Sequence, residues 1–337
     1  MVAMEGKIVV PLDGSTLAET ALPLAIKLAK FTGTRLLLLR VTVLPVELEA
    51  AFAEENPAHL LPLPYLEKVR ADLTNPAKYP AFTPDRVEVM VSRGNFTYEI
   101  PEIAQAEGGS LIVMTTHGLA GFTQLLLDGV TRQVLRNSNL PVIVLRPDLV
   151  EAHKEDTSAS EPISSGQLPL TIAVPLDGEA VSEAALEPAC RLAEKLGAGV
   201  KLIRVVKPVQ PILLDAPVME ILHPDGEQSE ELHYRLEEAA HYLAQLKEKV
   251  VANWKNVTFE TEVLTGDPAE RLVEWAKEEE PFLIALATHA RGGVGQILLG
   301  SVADEILRKG ACPVLLVHIK KGYQGWKPRA LEIPVLS

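Results

Sequence analysis

The sequence restarts near its midpoint. Residues 8–14 read IVVPLDG and residues 172–178 read IAVPLDG, an offset of 164. The copies stay in step through Gly33 and Gly197, then through Arg40-Val41 and Arg204-Val205. Farther on, Gly94 pairs with Gly266, His117 with His289, and Pro141-Val142 with Pro313-Val314. The change of offset from 164 to 172 places a net insertion of eight residues between the second strand and the Gly94/Gly266 region. A repeat of this length limits the fold more than any local pattern, because both copies must adopt one architecture. The chain of 337 residues suits two domains of about 150. The boundaries expected are 1–150 and 168–320. Between them lies a polar linker, 151–167 (EAHKEDTSASEPISSGQ), and after them a tail, 321–337.

Within each copy, short apolar runs rich in Val, Leu and Ile alternate with stretches of helical periodicity. Strands are expected at 7–12, 35–43, 86–91, 111–114 and 141–146, and again at 200–206, 257–264, 282–286 and 313–318, with the first strand of copy two at IAVP. A helix over 17–30 carries Leu17, Ala21, Leu24, Ala25 and Leu28 on one side, and Thr16 with Glu19 has capping-box spacing. Pro23 and Pro188 predict a kink or a late start there. Further helices are expected at 97–107, 130–136, 268–279 and 302–309. Strands separated by helices imply a parallel sheet covered on both faces. The copies differ between strands two and three. Copy one has room for a short helix near 65–73. Copy two carries a long amphipathic helix over 229–251, with Leu232, Leu236, Ala239, Ala240, Leu243 and Leu246 on its apolar side. Pro-rich loops, 45–64 and 208–226, precede these helices and read as lids or interface elements.

Charge and composition narrow the partners. A net charge of −13 leaves no basic excess to displace the counterions of a nucleic acid. It leaves room for a nucleotide, whose phosphates backbone N–H groups can hold. No apolar run approaches the roughly 20 residues of a membrane span, and MVAMEGKIVVPLDGS does not read as a secretory leader. Two cysteines, Cys190 and Cys312, lack metal-ligand spacing and read as core residues of a protein in a reducing cytoplasm. His233 and His241 read as surface positions.

Ligands of open parallel sheets bind beyond the C-terminal strand ends. Four features fall on that edge: Asp13 and Asp177 in the PLDG loops, with Pro175 just before the latter; the residue following the second apolar run, Val41 or Val205; the loops T115THGLAG121 and A287THARGG293; and the starts of the last helices, L127DGV130 and L299GSV302. Gly300-Ser301 can expose backbone N–H groups to an anion. Alternatively, Ser301 is simply the N-cap of that helix, with Asp304 at capping-box distance. In copy one Asp128 stands where Gly300 does, and a carboxylate there repels phosphate. Asp13 and Asp177 can accept from a base or ribose, or can cap their own loops. His117 and His289 have no accompanying metal-ligand cluster, and no catalytic residue is identified by spacing.

The VPLDGS start, the THG loop after strand four, the matched Gly94/Gly266 and the ending ILLGSVADEILRKGACPVLLV resemble the universal stress protein domain over about 140 residues of each copy. The resemblance implies two tandem domains of the adenine-nucleotide alpha-hydrolase-like type. Each would be a five-stranded parallel sheet in a Rossmann-like three-layer α/β/α sandwich. It implies a cytoplasmic stress-response protein, not a turnover enzyme, and pairing of the domains through their last strands as an internal pseudo-dimer, with a homodimer of chains as a further step. ATP-binding members carry a pattern of Gly, two residues, Gly, nine residues, Gly, then Ser or Thr. Copy two matches it as Ala287, Ala290, Gly300 and Ser301, with Val302 following; copy one matches it as Thr115, Gly118, Asp128 and Gly129. The base-contacting aspartate falls on Asp177 and Asp13, the strand-two valine on Val205 and Val41. The implied ligand is ATP or AMP, with Mg accompanying ATP, held weakly in copy two and not in copy one. The competing reading is an interaction or structural module without nucleotide, using its Pro-rich loops and apolar residues such as Leu213, Leu214, Val218 and Met219.

Overall fold

The computed structural model describes residues 6–43, 61–77, 79, 82–116, 129–146, 170–208, 225–289 and 300–319. The first half runs β1 (Lys7–Pro11), α1 (Thr16–Glu19), α2 (Leu22–Thr32), β2 (Arg35–Thr42), α3 (Pro62–Leu73), β3 (Val87–Arg93), α4 (Phe96–Ala106), β4 (Gly109–Thr115), α5 (Gly129–Asn137) and β5 (Val142–Leu145). The second half runs β6 (Thr171–Pro175), a 3-10 turn (Ser182–Ala185), α6 (Leu186–Leu196), β7 (Gly199–Val206), α7 (Asp225–Val251), β8 (Phe259–Thr265), α8 (Pro268–Glu279), β9 (Leu283–His289), α9 (Ser301–Lys309) and β10 (Val314–Ile319).

Within each half every strand pair is parallel, in the orders β3-β2-β1-β4-β5 and β8-β7-β6-β9-β10. β5 and β10 then pair antiparallel, with Val314 opposite Val144 and Leu316 opposite Val142, so ten strands form one sheet. This pairing covers the two apolar edges that would otherwise template association. The strands alternate in sidedness. Ile8, Val10, Leu36 and Leu38 face one layer of helices, α2, α3, α6 and α7, whereas Val9, Leu37 and Leu39 face the other, α4, α5, α8 and α9. Both faces are buried, which is why the strands read as unbroken apolar runs.

The expected helix over 17–30 is divided. Ser15, not Thr16, is the first cap: its hydroxyl accepts from Ala18 N at 3.1 Å. The helix then restarts at Leu22, which puts Pro23 in the first turn, where a missing N–H costs nothing. The long α7 buries Ala239, Leu243, Leu246 and Val250, while Ala240 is exposed, which corrects its assignment to the apolar side. The 3.6-residue period places Ala240 about 100° from Ala239, beyond the stripe that packs chiefly on β7 and β8. His233 and His241 are exposed as expected. Cys190 and Cys312 are buried free thiols. The loops 45–60 and 209–224, with Leu213, Leu214, Val218 and Met219, the linker 151–167 and the tail 321–337 lie outside the described residues.

Candidate functional site

In the second half, β9, β6 and β7 are neighbours, and their C-terminal ends converge with the start of α9. That edge gathers Asp177, just after β6; Val205, the penultimate residue of β7; Ala287, within β9; and Gly300, Ser301 and Val302. Pro175 closes β6 and is buried. Val205 and Val302 pack on one core face, while Ala287 packs on the other. Ala290 lies outside the described residues. In the first half Asp13, Val41 and Thr115 take the corresponding places, whereas His117, Gly118 and Asp128 lie outside the described residues.

The start of α9 differs from the capping-box expectation. The N-cap is Gly300, at φ 77° and ψ 144°, with no side-chain cap hydrogen bond, and Ser301 is the first helical residue. Asp304 does not reach back to the cap. Its carboxylate pairs with Arg308 at 3.2 Å and with Arg132 of the first half at 3.1 Å. Among the described residues no side chain is seen to cap the first turn, which lies at the positive end of the helix dipole. The two arginines neutralise the acidic group that would otherwise oppose an anion there. One further polar group stands at this edge: the Thr288 hydroxyl, in a residue only 2% exposed, is buried without a hydrogen-bond partner. Such a group is costly unless something satisfies it.

Both aspartates do cap their loops. Asp13 Oδ1 accepts from Ser15 N at 2.9 Å and Ser15 Oγ at 2.6 Å. Asp177 Oδ1 accepts from Glu179 N at 2.9 Å, and the residue is exposed. The capping turn of Asp177 uses one carboxylate oxygen, so at this residue the local role and a ligand role are compatible.

Sequence patterning missed a second constellation beneath each PLDG loop. Arg40, buried, lies with its guanidinium 5.3 Å from the centroid of Tyr65, whose hydroxyl donates to Glu19 Oε1 at 2.9 Å. In the second half Arg204 lies 5.3 Å from Tyr242, whose hydroxyl donates to Glu183 at 3.1 Å. Burial pushes both phenols upward in pKa, and the adjacent carboxylates push in the same direction. A Cβ on Gly14 would stand 2.9 Å from Arg40 Nη1, and one on Gly178 would collide with Arg204. The two glycines, at φ 89° and 88°, are thus required by conformation and by the guanidinium beneath them. The Arg40/Arg204 match was the available signal. Tyr65 and Tyr242 gave none, because they sit on helices of unequal length with a different offset.

Two doubly wound parallel sheets joined edge to edge define a duplicated α/β fold, of the kind whose ligands bind beyond the C-terminal strand ends. The family model described as the universal stress protein family matches residues 4–146 and again 170–318, and the chain belongs to that family. The universal stress protein MJ0531 of Methanocaldococcus jannaschii is 36% identical over 155 residues, 44% of this chain and 82% of that one. The universal stress protein of Thermus aquaticus encoded in the 3′ region of QAH/OAS sulfhydrylase is 32% identical over 152 residues, 44% of this chain and 98% of that one. A solved universal stress protein from Archaeoglobus fulgidus DSM 4304 covers 94% of this chain and 99% of its own, with a TM-score of 0.60 at 18% identity, which speaks for the fold. Membership makes the chain a stress-response-type binding or regulatory module, not a turnover enzyme. Among the described residues no helix is long and apolar enough to cross a membrane.

Proposed function

We propose that this chain is a tandem stress-response module whose second half binds an adenine nucleotide weakly, ATP or AMP, and whose first half keeps the fold without the phosphate cradle. The observation that carries this reading is the uncapped N-terminus of α9 at Gly300-Ser301. Helix starts of this kind favour phosphate through open N–H groups and the dipole. Asp177 and Val205 flank the place for base and ribose. ATP would bring Mg with its phosphates. Ala287 in place of a family glycine accounts for weak affinity, because its methyl group narrows the approach of backbone to ribose.

Calorimetric titration of the full chain with ATP tests this. One site per chain is expected, and Gly300→Asp, which copies the Asp128 of the first half, abolishes it. Two sites, or unchanged binding in Gly300→Asp, would overturn the assignment. The alternative is a nucleotide-free interaction module, in which Asp177 serves only its own loop. That alternative predicts no heat of binding for ATP or AMP.

A further inference from the structure

The repeat relates α2 to α6 by 164 residues and β4 to β9 by 172. Under that operation Lys27 maps to Arg191, and Phe282 maps to Ser110. In the second half Phe282 packs against the core, and Lys27 of the first half places its ammonium 5.4 Å from the ring centroid. The mate of this arrangement is not filled. Where the ring should stand there is a cleft of about 220 Å³ between the two halves, lined by Ser110, Leu111 and Pro141 of the first half and by Pro188, Arg191 and Leu192 of the second. The Ser110 hydroxyl is buried and has no hydrogen-bond partner. Arg191, held by Glu187 Oε1 at 3.1 Å, takes the register position of the lysine that lies over Phe282.

We propose that this cleft is a binding site for a small single-ring aromatic molecule bearing a hydroxyl, of the phenol class. The second half shows what the walls accept, namely a phenyl ring beneath a cation. Ring and cation attract through the ring quadrupole. The unpaired Ser110 hydroxyl supplies a polar anchor that Phe282 does not need, and a buried hydroxyl without a partner carries a cost that a ligand hydroxyl removes. Apart from Glu187, which pairs with Arg191, the remaining walls are apolar, as in small-molecule sites generally. The site lies apart from the strand-end loops, near the N-terminal end of β4, so it stands or falls independently of nucleotide binding.

Fluorine NMR titration of the full chain with para-fluorophenol tests the assignment by stoichiometry. The wild-type chain is expected to show one saturable site below about 10 mM, in keeping with a ligand of so few atoms. Ser110→Phe, which fills the cleft as its mate is filled, is expected to show none. Phe282→Ser, which opens the mate, is expected to show two. Two milder variants serve should the bulky change prevent folding. Ser110→Ala should weaken binding about 5-fold through the lost hydrogen bond, and Arg191→Gln about 2–5-fold through the lost cation. Absence of a saturable site in the wild type, or binding that none of these substitutions alters, overturns the proposal.

Discussion

Gly14→Ala and Gly33→Ala should differ in cost by an amount that measures the guanidinium beneath the first PLDG loop. Both glycines are left-handed, at φ 89° and 72°. Both substitutions therefore incur about 1–2 kcal/mol of backbone strain, offset by roughly 0.4–1 kcal/mol of lost freedom in the unfolded chain. At Gly33 nothing lies within 4 Å of the added methyl group, so about 1 kcal/mol is the whole effect. At Gly14 the methyl group meets Arg40 Nη1 at 2.9 Å and Cζ at 3.5 Å. Arg40 cannot withdraw without leaving the face of Tyr65, a loss of about 0.5–2 kcal/mol for a desolvated cation over a ring. Differential scanning of the two variants should give a melting point lowered by about 2–4 °C for Gly33→Ala and by about twice that or more for Gly14→Ala. In an Arg40→Ala background the gap should close, as coupling between touching residues requires. Equal losses in the two variants, or a gap that survives removal of Arg40, would refute the reasoning.

The phenols of Tyr65 and Tyr242 are raised by burial and by Glu19 and Glu183, so they should ionise later than a free phenol, near pH 10. Because the folded values lie above the unfolded ones, their contribution to stability is complete below about pH 10 and is lost as pH rises through the folded values; phenolate absorbance compared between wild type and Tyr65→Phe reads the delayed step. Burial pushes the Cys312 thiol up to about 12 and raises Cys190 as well, so a thiol reagent at neutral pH should label neither in the native chain and both in denaturant. Arg132→Asp should destabilise the chain by about 0.5–1 kcal/mol, as a denaturant series can show.

The layered fold was legible because the strands are buried on both sides. Runs such as LLLL at 36–39 have few alternatives. Helix starts were less legible. The choice between Ser15 and Thr16, or between Gly300 and Ser301, turns on one residue's φ and ψ, and hydroxyl-bearing neighbours look alike to a spacing rule. The strand-end residues were found where topology fixes them. The Arg–Tyr pairs beneath the loops were not, because half of each pair comes from the segment in which the two copies diverge.

The seam itself distinguishes the two halves. Arg132 and Asp304 occupy the same repeat position and pair with each other across the β5–β10 junction. Two first halves joined in this way would set arginine against arginine, and two second halves aspartate against aspartate. The opposed charges therefore favour the unlike pairing, as negative charge design does at other interfaces. A seam that is committed to unlike partners frees each half from having to match the other elsewhere. Phe282 can fill one side of the junction while Ser110 leaves the other open. Asp304, neutralised by Arg132, can sit in the first turn of α9 without closing that helix start to an anion, so the first half contributes a charge to the candidate site of the second.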